Sequence, residues 1–366
     1  MQSNIKSALL VLAGFLVLSY PAMSQDRVVH VYNWSDYIDE EILQEFEAKT
    51  GIRVVYDVFD SNDLLETKLL AGNSGYDVVV PGDAFLTRQI QAGVFQKLDK
   101  SKLDNWDNLW DLIAQRTDQF DPGNQYAINY MWGTTSFGYN EAKILERMPN
   151  APVNSWRMIF DPEVVSKFAD CGVYMVDAGD EMIVSALHYI GEDPDSKDPE
   201  VIKKAEAVLK AIRPYISKFT SSEYISALAA GDICLTTGFS GDVFQARARA
   251  NDAGDGINIK YVIPETGALM WFDMMAIPKD APHPDEAHAF INHILGAETI
   301  AKASNYVYYA NGNKASQAYL EPLVLDDPAI YPSEDVMKKL FITTTNPPKI
   351  QRLVTRIWSR VKTAQP

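Results

Sequence analysis

An α/β fold in two lobes follows from three features of this sequence. Between residues 27 and 80, short Val-rich runs alternate with helical patterns, the signature of an open, mostly parallel sheet. A second set of such runs begins near Thr134. The chain has 366 residues, more than one hydrophobic core usually organises.

Arg27 to Asn33 (RVVHVYN) reads as the first strand. From Asp39 to Thr50, Ile42, Leu43 and Phe46 recur at helical spacing, and Gly51 stops the helix. Ile52 to Phe59 (IRVVYDVF) is the second strand. Ser61 caps a helix through Leu64, Leu65, Leu69 and Leu70 that ends at Gly72. Tyr76 to Val80 (YDVVV) is a third strand, apolar enough for burial on both faces, and Pro81-Gly82 breaks it.

In the second region, Gly172 to Val176 reads as a strand followed by a loop over Asp177 to Glu181. Helices follow at Glu181 to Tyr189, Pro199 to Ile212 and Ser222 to Ala230. Ile233 to Thr237, Ile257 to Ile263 and Ala268 to Ile277 are strands; Pro284 to Leu295 and Lys349 to Lys362 are helices.

Residues 1–24 have the form of a secretory signal peptide. Lys6 gives a basic start, Ala8 to Leu18 is apolar, and Ala22-Met23-Ser24 supplies small residues for cleavage. The apolar run is shorter than the roughly 20 residues of a membrane span. No cysteine near residue 24 offers a lipid anchor. Taking 24 residues from 366 leaves 342, and with Lys6 gone the net charge of −16 becomes −17. Such a surface attracts cations and repels nucleic acid and anionic lipid, although solubility alone also accounts for it. The two cysteines, Cys171 and Cys234, form one disulfide in an oxidising compartment or stand as two buried thiols.

In open α/β sheets, ligands bind beyond the carboxyl ends of the strands. The loops at those ends are Trp34-Ser35-Asp36-Tyr37, Gly82-Asp83-Ala84-Phe85, Asp177 to Glu181, and Phe239-Ser240-Gly241-Asp242. They repeatedly offer an acid and an aromatic, and none offers Lys or Arg. An aliphatic ammonium needs carboxylates at its charged ends and apolar or aromatic walls along its methylenes.

Other chemistries lack their motifs. There is no Gly-x-Ser-x-Gly elbow, no phosphate loop and no Gly-x-Gly-x-x-Gly. The five histidines, His30, His188, His283, His288 and His293, read as structural or surface residues, and no metal site is expected. No basic patch with interleaved aromatics points to nucleic acid. Two classes compete: a secreted binding protein for a small cation, and an exported hydrolase using two carboxylates. No nucleophile stands in an activating context, which disfavours the enzyme.

The stretches YNWSDYI (32–38), VVYDVFDSND (54–63), YDVVVPG (76–82), FQKLDKSKL (95–103), SGDVFQA (240–246), WFDMMAIP (271–278) and YVYYANGNK (306–314) carry a resemblance. The chain resembles the periplasmic polyamine-binding proteins of ABC importers, the putrescine- and spermidine-binding group. The resemblance covers essentially all of the mature chain. It implies a Venus-flytrap fold with ligand trapped between the lobes. Lobe 1 would hold residues 25–133 and 267–310, and lobe 2 residues 134–266 and 311–366. Crossings between them would lie near Trp132 to Thr134, Pro264 to Ala268 and Tyr309 to Asn313.

The resemblance also implies that Cys171 and Cys234 pair. Trp34 and Tyr37 would form an aromatic wall, with Ser35 and Asp36 near one amine. Glu181 and Asp242 would be carboxylates of lobe 2, and Asp273 the carboxylate of lobe 1. Trp271 and Phe239 would sandwich the methylenes, and Tyr309 would close the cleft. Each has a structural alternative: Phe239 and Trp271 as core aromatics, Asp242 as a helix cap, Asp36 as a turn former.

Three departures bear on the ligand. Gly82 stands where many relatives have Ser, and Asp83 adds a charge beside it; with Phe85 it completes that loop's candidate contacts. Phe239 stands where relatives often carry Trp or Tyr. Trp271 stands where some putrescine binders have Phe and resembles the spermidine-preferring members, which leans the reading to spermidine, then putrescine, with agmatine, cadaverine and a sensing role as alternatives. The expected protein is a periplasmic monomer without cofactor or catalytic role. Its ligand is a polyamine and its protein partner a membrane ABC permease.

Overall fold

The computed structural model describes residues 27–364. The signal-peptide reading of residues 1–24 lies outside the described residues.

Ten strands form one sheet: β1 Val28–Trp34, β2 Arg53–Phe59, β3 Val78–Val79, β4 Ala127–Asn140, β5 Val173–Met175, β6 Lys218–Phe219, β7 Leu235–Phe239, β8 Ile259–Val262, β9 Leu269–Ala276 and β10 Ala310–Asn311. Their order is β2-β1-β3-β9-β4-β7-β5-β6, with β8 and β10 also pairing β4. The two ends are parallel, as the alternating pattern predicts: β1 with β2 and β3, β5 with β6 and β7. The middle is antiparallel. The two long strands β4 and β9 pair from Ala127–Ala276 to Thr135–Leu269 and join the two parallel ends into a two-lobed molecule.

All 14 residues of β4 are buried. A strand covered on both faces shows no polar–apolar alternation, and the polar residues of β4, Asn129, Thr134, Thr135, Ser136 and Asn140, are buried with the apolar ones. One apolar cluster packs Val29, Val31 and Phe46 against Ile128, Met275, Phe290 and Ile291. A larger one runs through Trp156, Phe168, Val173, Leu209 and Ile357.

Local signals fix several element ends. Asp39 accepts the Glu41 N–H and starts the helix Glu40–Thr50, which Gly51 closes at φ 68°. Ser61 accepts the Leu64 N–H and starts Asn62–Ala71. Pro199–Ile212 has the predicted bounds. The structure also contains helices absent from the sequence reading, notably Asp83–Gln91, Ser240–Ala253 and Ala297–Val307. Two of them begin inside stretches read as loops. Neither Gly82 nor Phe239, the residues preceding those helices, makes a side-chain capping bond, so the usual start signal is missing.

Cys171 and Cys234 are bonded, with Cα atoms 5.6 Å apart and a sequence separation of 63. Closing a loop of that size stabilises the fold by about 4 kcal/mol in the chain-entropy account.

Candidate functional site

The turn after β1 splits its four side chains between two directions. Trp34 donates its indole N–H to the Val80 carbonyl (3.0 Å), and its ring leans on Phe59. Ser35 turns away, its hydroxyl donating to Asp60 (2.7 Å). Asp36 is exposed at φ 53°, a left-handed conformation that Asp tolerates better than most residues. It still lies near enough to Asp242 to raise that group's pKa. Tyr37 is buried and donates its hydroxyl to Asp273 (2.7 Å), while its carbonyl accepts the Tyr130 hydroxyl (2.7 Å).

Alternation along β9 sends Trp271 and Asp273 to the same side of the sheet. The Trp271 ring meets Phe239 (5.9 Å, 87°) and Tyr309 (5.4 Å, 63°) edge to face, and Tyr309 meets Tyr37 likewise (5.3 Å). Gly133 on β4 makes this possible, because a Cβ there would come within 2.7 Å of the Trp271 ring. Gly241 does the same for Tyr309, whose ring would lie 2.4 Å from an added Cβ.

Asp242, in the first turn of Ser240–Ala253, accepts the hydroxyls of Tyr309 (2.6 Å) and Tyr224 (2.7 Å). Glu181, in the first turn of the helix Gly179–Tyr189, accepts the Thr135 hydroxyl; Thr135 in turn accepts the Trp271 indole N–H (3.0 Å). A chain of hydrogen bonds therefore runs from the β9 aromatic through β4 to a carboxylate on the helix Gly179–Tyr189.

Asp83 is half-buried and opens its helix. Its carboxylate accepts the Ala84 N–H (2.6 Å) and the Phe272 N–H on β9 (3.1 Å). The added acid thus points inward rather than to solvent. Phe85 does not join the cluster through any ring contact; its ring stacks under the Arg88 guanidinium at 3.8 Å.

Burial dominates the electrostatics. It lifts Asp83 to about 7 against its two backbone hydrogen bonds. It lifts Glu181 to about 7, helped by the charges of Asp83 and Asp180 and opposed by Thr135. It lifts Asp242 to about 6 despite the Tyr309 and Tyr224 hydroxyls. Asp273 is pushed well above the usual carboxylate range by burial, with Asp83 and Glu181 adding to the rise and Tyr37 opposing it. Among the described residues, no Lys or Arg forms an ion pair with any of the four.

The sequence reading missed Thr135 and Tyr224. Thr135 carried no distinguishing signal, since it is one of several polar residues, with Asn129, Thr134 and Ser136, in a strand without alternation. Tyr224 carried none, since its helix looks like any core helix.

The profile of the bacterial extracellular solute-binding proteins matches residues 41–332. The putrescine-binding periplasmic protein SpuD of Pseudomonas aeruginosa is 48% identical over 97% of each chain. A putrescine/agmatine-binding protein of the same species is 43% identical over 93% of this chain and 94% of that one. The solved structure of the spermidine/putrescine ABC transporter substrate-binding protein PotD from Streptococcus pneumoniae superposes with a TM-score of 0.76 at 28% identity, covering 92% of this chain and 98% of the other. The chain belongs to the bacterial extracellular solute-binding proteins and is a binding protein, not an enzyme.

Proposed function

We propose that this protein captures a small aliphatic diamine in the periplasm and delivers it to a membrane ABC permease. The observation that carries the reading is the cluster of four buried or half-buried carboxylates, Asp83, Glu181, Asp242 and Asp273, without an ion-paired Lys or Arg. Buried charges need partners. A diammonium supplies two, and the rings of Trp271, Phe239, Tyr309 and Tyr37 supply walls for its methylenes. Asp242 would grip one ammonium, with Asp36, Tyr37 and Tyr309 around it. Asp273, beside Trp34 and Tyr37, would grip the other together with Glu181 and Asp83, whose charges it feels. Ser35 and Phe85 become outer members of the site, since their side chains engage Asp60 and Arg88.

Putrescine is our first ligand, ahead of the spermidine to which Trp271 leaned the reading. The putrescine-named relatives stand well above the spermidine/putrescine protein in identity. We place lobe 1 at 25–133 and 267–310 and lobe 2 at 134–266 and 311–366. The bonds from Trp110 N–H to the Gly312 carbonyl and from Asn313 to the Leu295 carbonyl favour moving the last boundary a few residues later. Residues 1–24 would be removed on export, and the mature chain would act as a monomer.

Titration calorimetry of the mature, ligand-stripped protein against putrescine, cadaverine, spermidine, agmatine and a neutral sugar tests this. Tight one-to-one binding of putrescine, with weaker binding of the longer amine and none of the sugar, is expected. Failure of every amine to bind would end the reading.

A further inference from the structure

A second constellation lies at the opposite end of β1 from the cleft. His30 sits four residues before Trp34, which along a strand is about 13 Å. Asp77 lies beside it, one position before the paired Val31 and Val78, and its N–H donates to the His30 carbonyl (2.8 Å). His283, just before the helix Pro284–Ile294, comes in from the far end of the sequence.

Asp77 is fully buried. Two backbone amides fix its carboxylate: the His30 N–H on Oδ2 (2.8 Å) and the His283 N–H on Oδ1 (2.6 Å). The His283 Nδ1 lies 3.1 Å from Oδ2, and the two imidazole rings stack at 5.9 Å with 18° between their planes. One ligand atom from each residue lies within 4.8 Å of the other two. The His30 ring nitrogens hydrogen-bond to no protein atom among the described residues, and the His283 side chain remains one-third exposed (34%). The site is therefore open to solvent on one side and anchored on a buried carboxylate on the other.

Two readings of the 3.1 Å Nδ1–Oδ2 separation compete. It fits a histidine–carboxylate hydrogen bond. It also fits an edge of a coordination shell, since ligands about 2.0–2.1 Å from a tetrahedral metal stand about 3.3 Å apart. A hydrogen bond alone leaves the His30 imidazole, with its unpartnered nitrogens, without a role. Two imidazoles and one carboxylate suit Zn2+ and its first-row neighbours and do not suit Mg2+ or Ca2+, which take oxygen ligands.

We propose that His30, Asp77 and His283 form a binding site for a divalent transition-metal ion of the Zn2+ class on lobe 1, separate from the ligand cleft. This departs from the reading of all five histidines as structural or surface residues, because only folding brings residues 30, 77 and 283 together. A metal there would clamp β1 and β3 to the start of Pro284–Ile294 and leave a coordination position for water.

The test is calorimetric titration of zinc chloride into untagged, chelator-stripped mature protein, with His30→Ala, His283→Ala and, as a control distant from the site, His188→Ala. One-to-one binding by the unaltered protein and by the control, weakened at least tenfold in both site variants, is expected, together with a zinc-dependent rise in Tm. Unchanged putrescine affinity in the site variants shows that they fold. Should His283→Ala lose that affinity, His283→Asn keeps an amide donor for Asp77 and decides the matter. No binding by the unaltered protein, or equal binding by all variants, overturns the proposal; the latter would mean that the acidic surface holds the zinc.

Discussion

The Tyr37 hydroxyl donates a 2.7 Å hydrogen bond to Asp273, tying the turn after β1 to the acid on β9. The bond joins residues far apart in sequence and holds the Asp273 carboxylate in one orientation. It also leaves Asp273 short of donors: one hydroxyl and a nearby indole oppose the strong rise in pKa that burial imposes.

Replacing Asp273 by Asn separates binding from folding. A charge-assisted hydrogen bond to an ammonium is worth roughly 1.5–3 kcal/mol, so putrescine affinity should fall about ten- to a hundredfold by calorimetry. The substitution also removes a carboxylate that burial disfavours in its charged form. Thermal unfolding of the ligand-free variant should therefore occur no lower than in the unaltered protein. A large drop in Tm with retained affinity would make Asp273 a structural residue.

Affinity should depend on pH in a defined window. Asp83 and Glu181 stand at about 7 and Asp242 at about 6, all above their ordinary values. Raised carboxyl pKa values mean that the folded, ligand-free protein binds more protons than the unfolded chain. Stability from these groups is fully present below about pH 4 and is lost as pH rises through 6 to 7. An ammonium favours the charged carboxylates, so diamine binding should expel protons below pH 7. Affinity should climb from pH 5 to pH 7 and level off above it. Calorimetry in buffers of different ionisation enthalpy counts those protons. A flat profile from pH 5 to 8 would show that the four carboxylates are already charged in the ligand-free state.

The Trp271–Thr135–Glu181 chain predicts coupled mutations. Thr135→Val keeps the shape of the side chain and leaves both the Trp271 N–H and Glu181 without their hydroxyl partner. Putrescine affinity should fall about tenfold. Glu181→Gln should also weaken binding, and the double variant should lose less than the sum of the two, because both changes act on one network. Strict additivity in that cycle would argue that Thr135 and Glu181 act independently.

Much of this site was legible because strand ends can be read from sequence. Trp34, Asp83, Glu181 and Asp242 follow short apolar strands, and the last three open helices at strand ends that the parallel ends of the sheet aim at one place. Trp271 and Asp273 were different: they lie within a strand, and only the family resemblance singled them out. Thr135 was hidden because a strand buried on both faces gives no alternation to say which side chain faces the cleft. Phe85 and Ser35 lie next to site residues in sequence, but their side chains engage Arg88 and Asp60. Phe85 lies two residues after an inward-pointing Asp83, but on the helix Asp83–Gln91 two residues turn a side chain by about 200°, and Arg88 covers it. The long strand β4 was not read from the sequence at all, because Asn129, Thr134, Thr135 and Ser136 interrupt its apolar residues without an alternation, and its antiparallel pairing with β9 was hidden with it.

Gly241 offers a test of how closely the helix Ser240–Ala253 must approach Tyr309. It sits in the first turn of Ser240–Ala253, one residue before Asp242, and the Tyr309 ring packs directly against its Cα. An added Cβ would lie 2.4 Å from that ring, closer than any real contact allows. Tyr309 cannot yield freely, because its hydroxyl is held by Asp242 and its ring by Trp271 and Tyr37. Gly241→Ala should therefore push the helix and Tyr309 apart, at a cost of about 1–3 kcal/mol from overpacking. The displacement falls on the Asp242 carboxylate, so diamine affinity should drop at least tenfold. Tyr309→Phe removes the hydroxyl but keeps the ring, and Gly241→Ala in that background should cost nearly as much as alone. If Tyr309→Ala, which clears the space, restores the Tm of Gly241→Ala, the clash is located. If it does not, the strain lies in the helix start rather than in the aromatic contact.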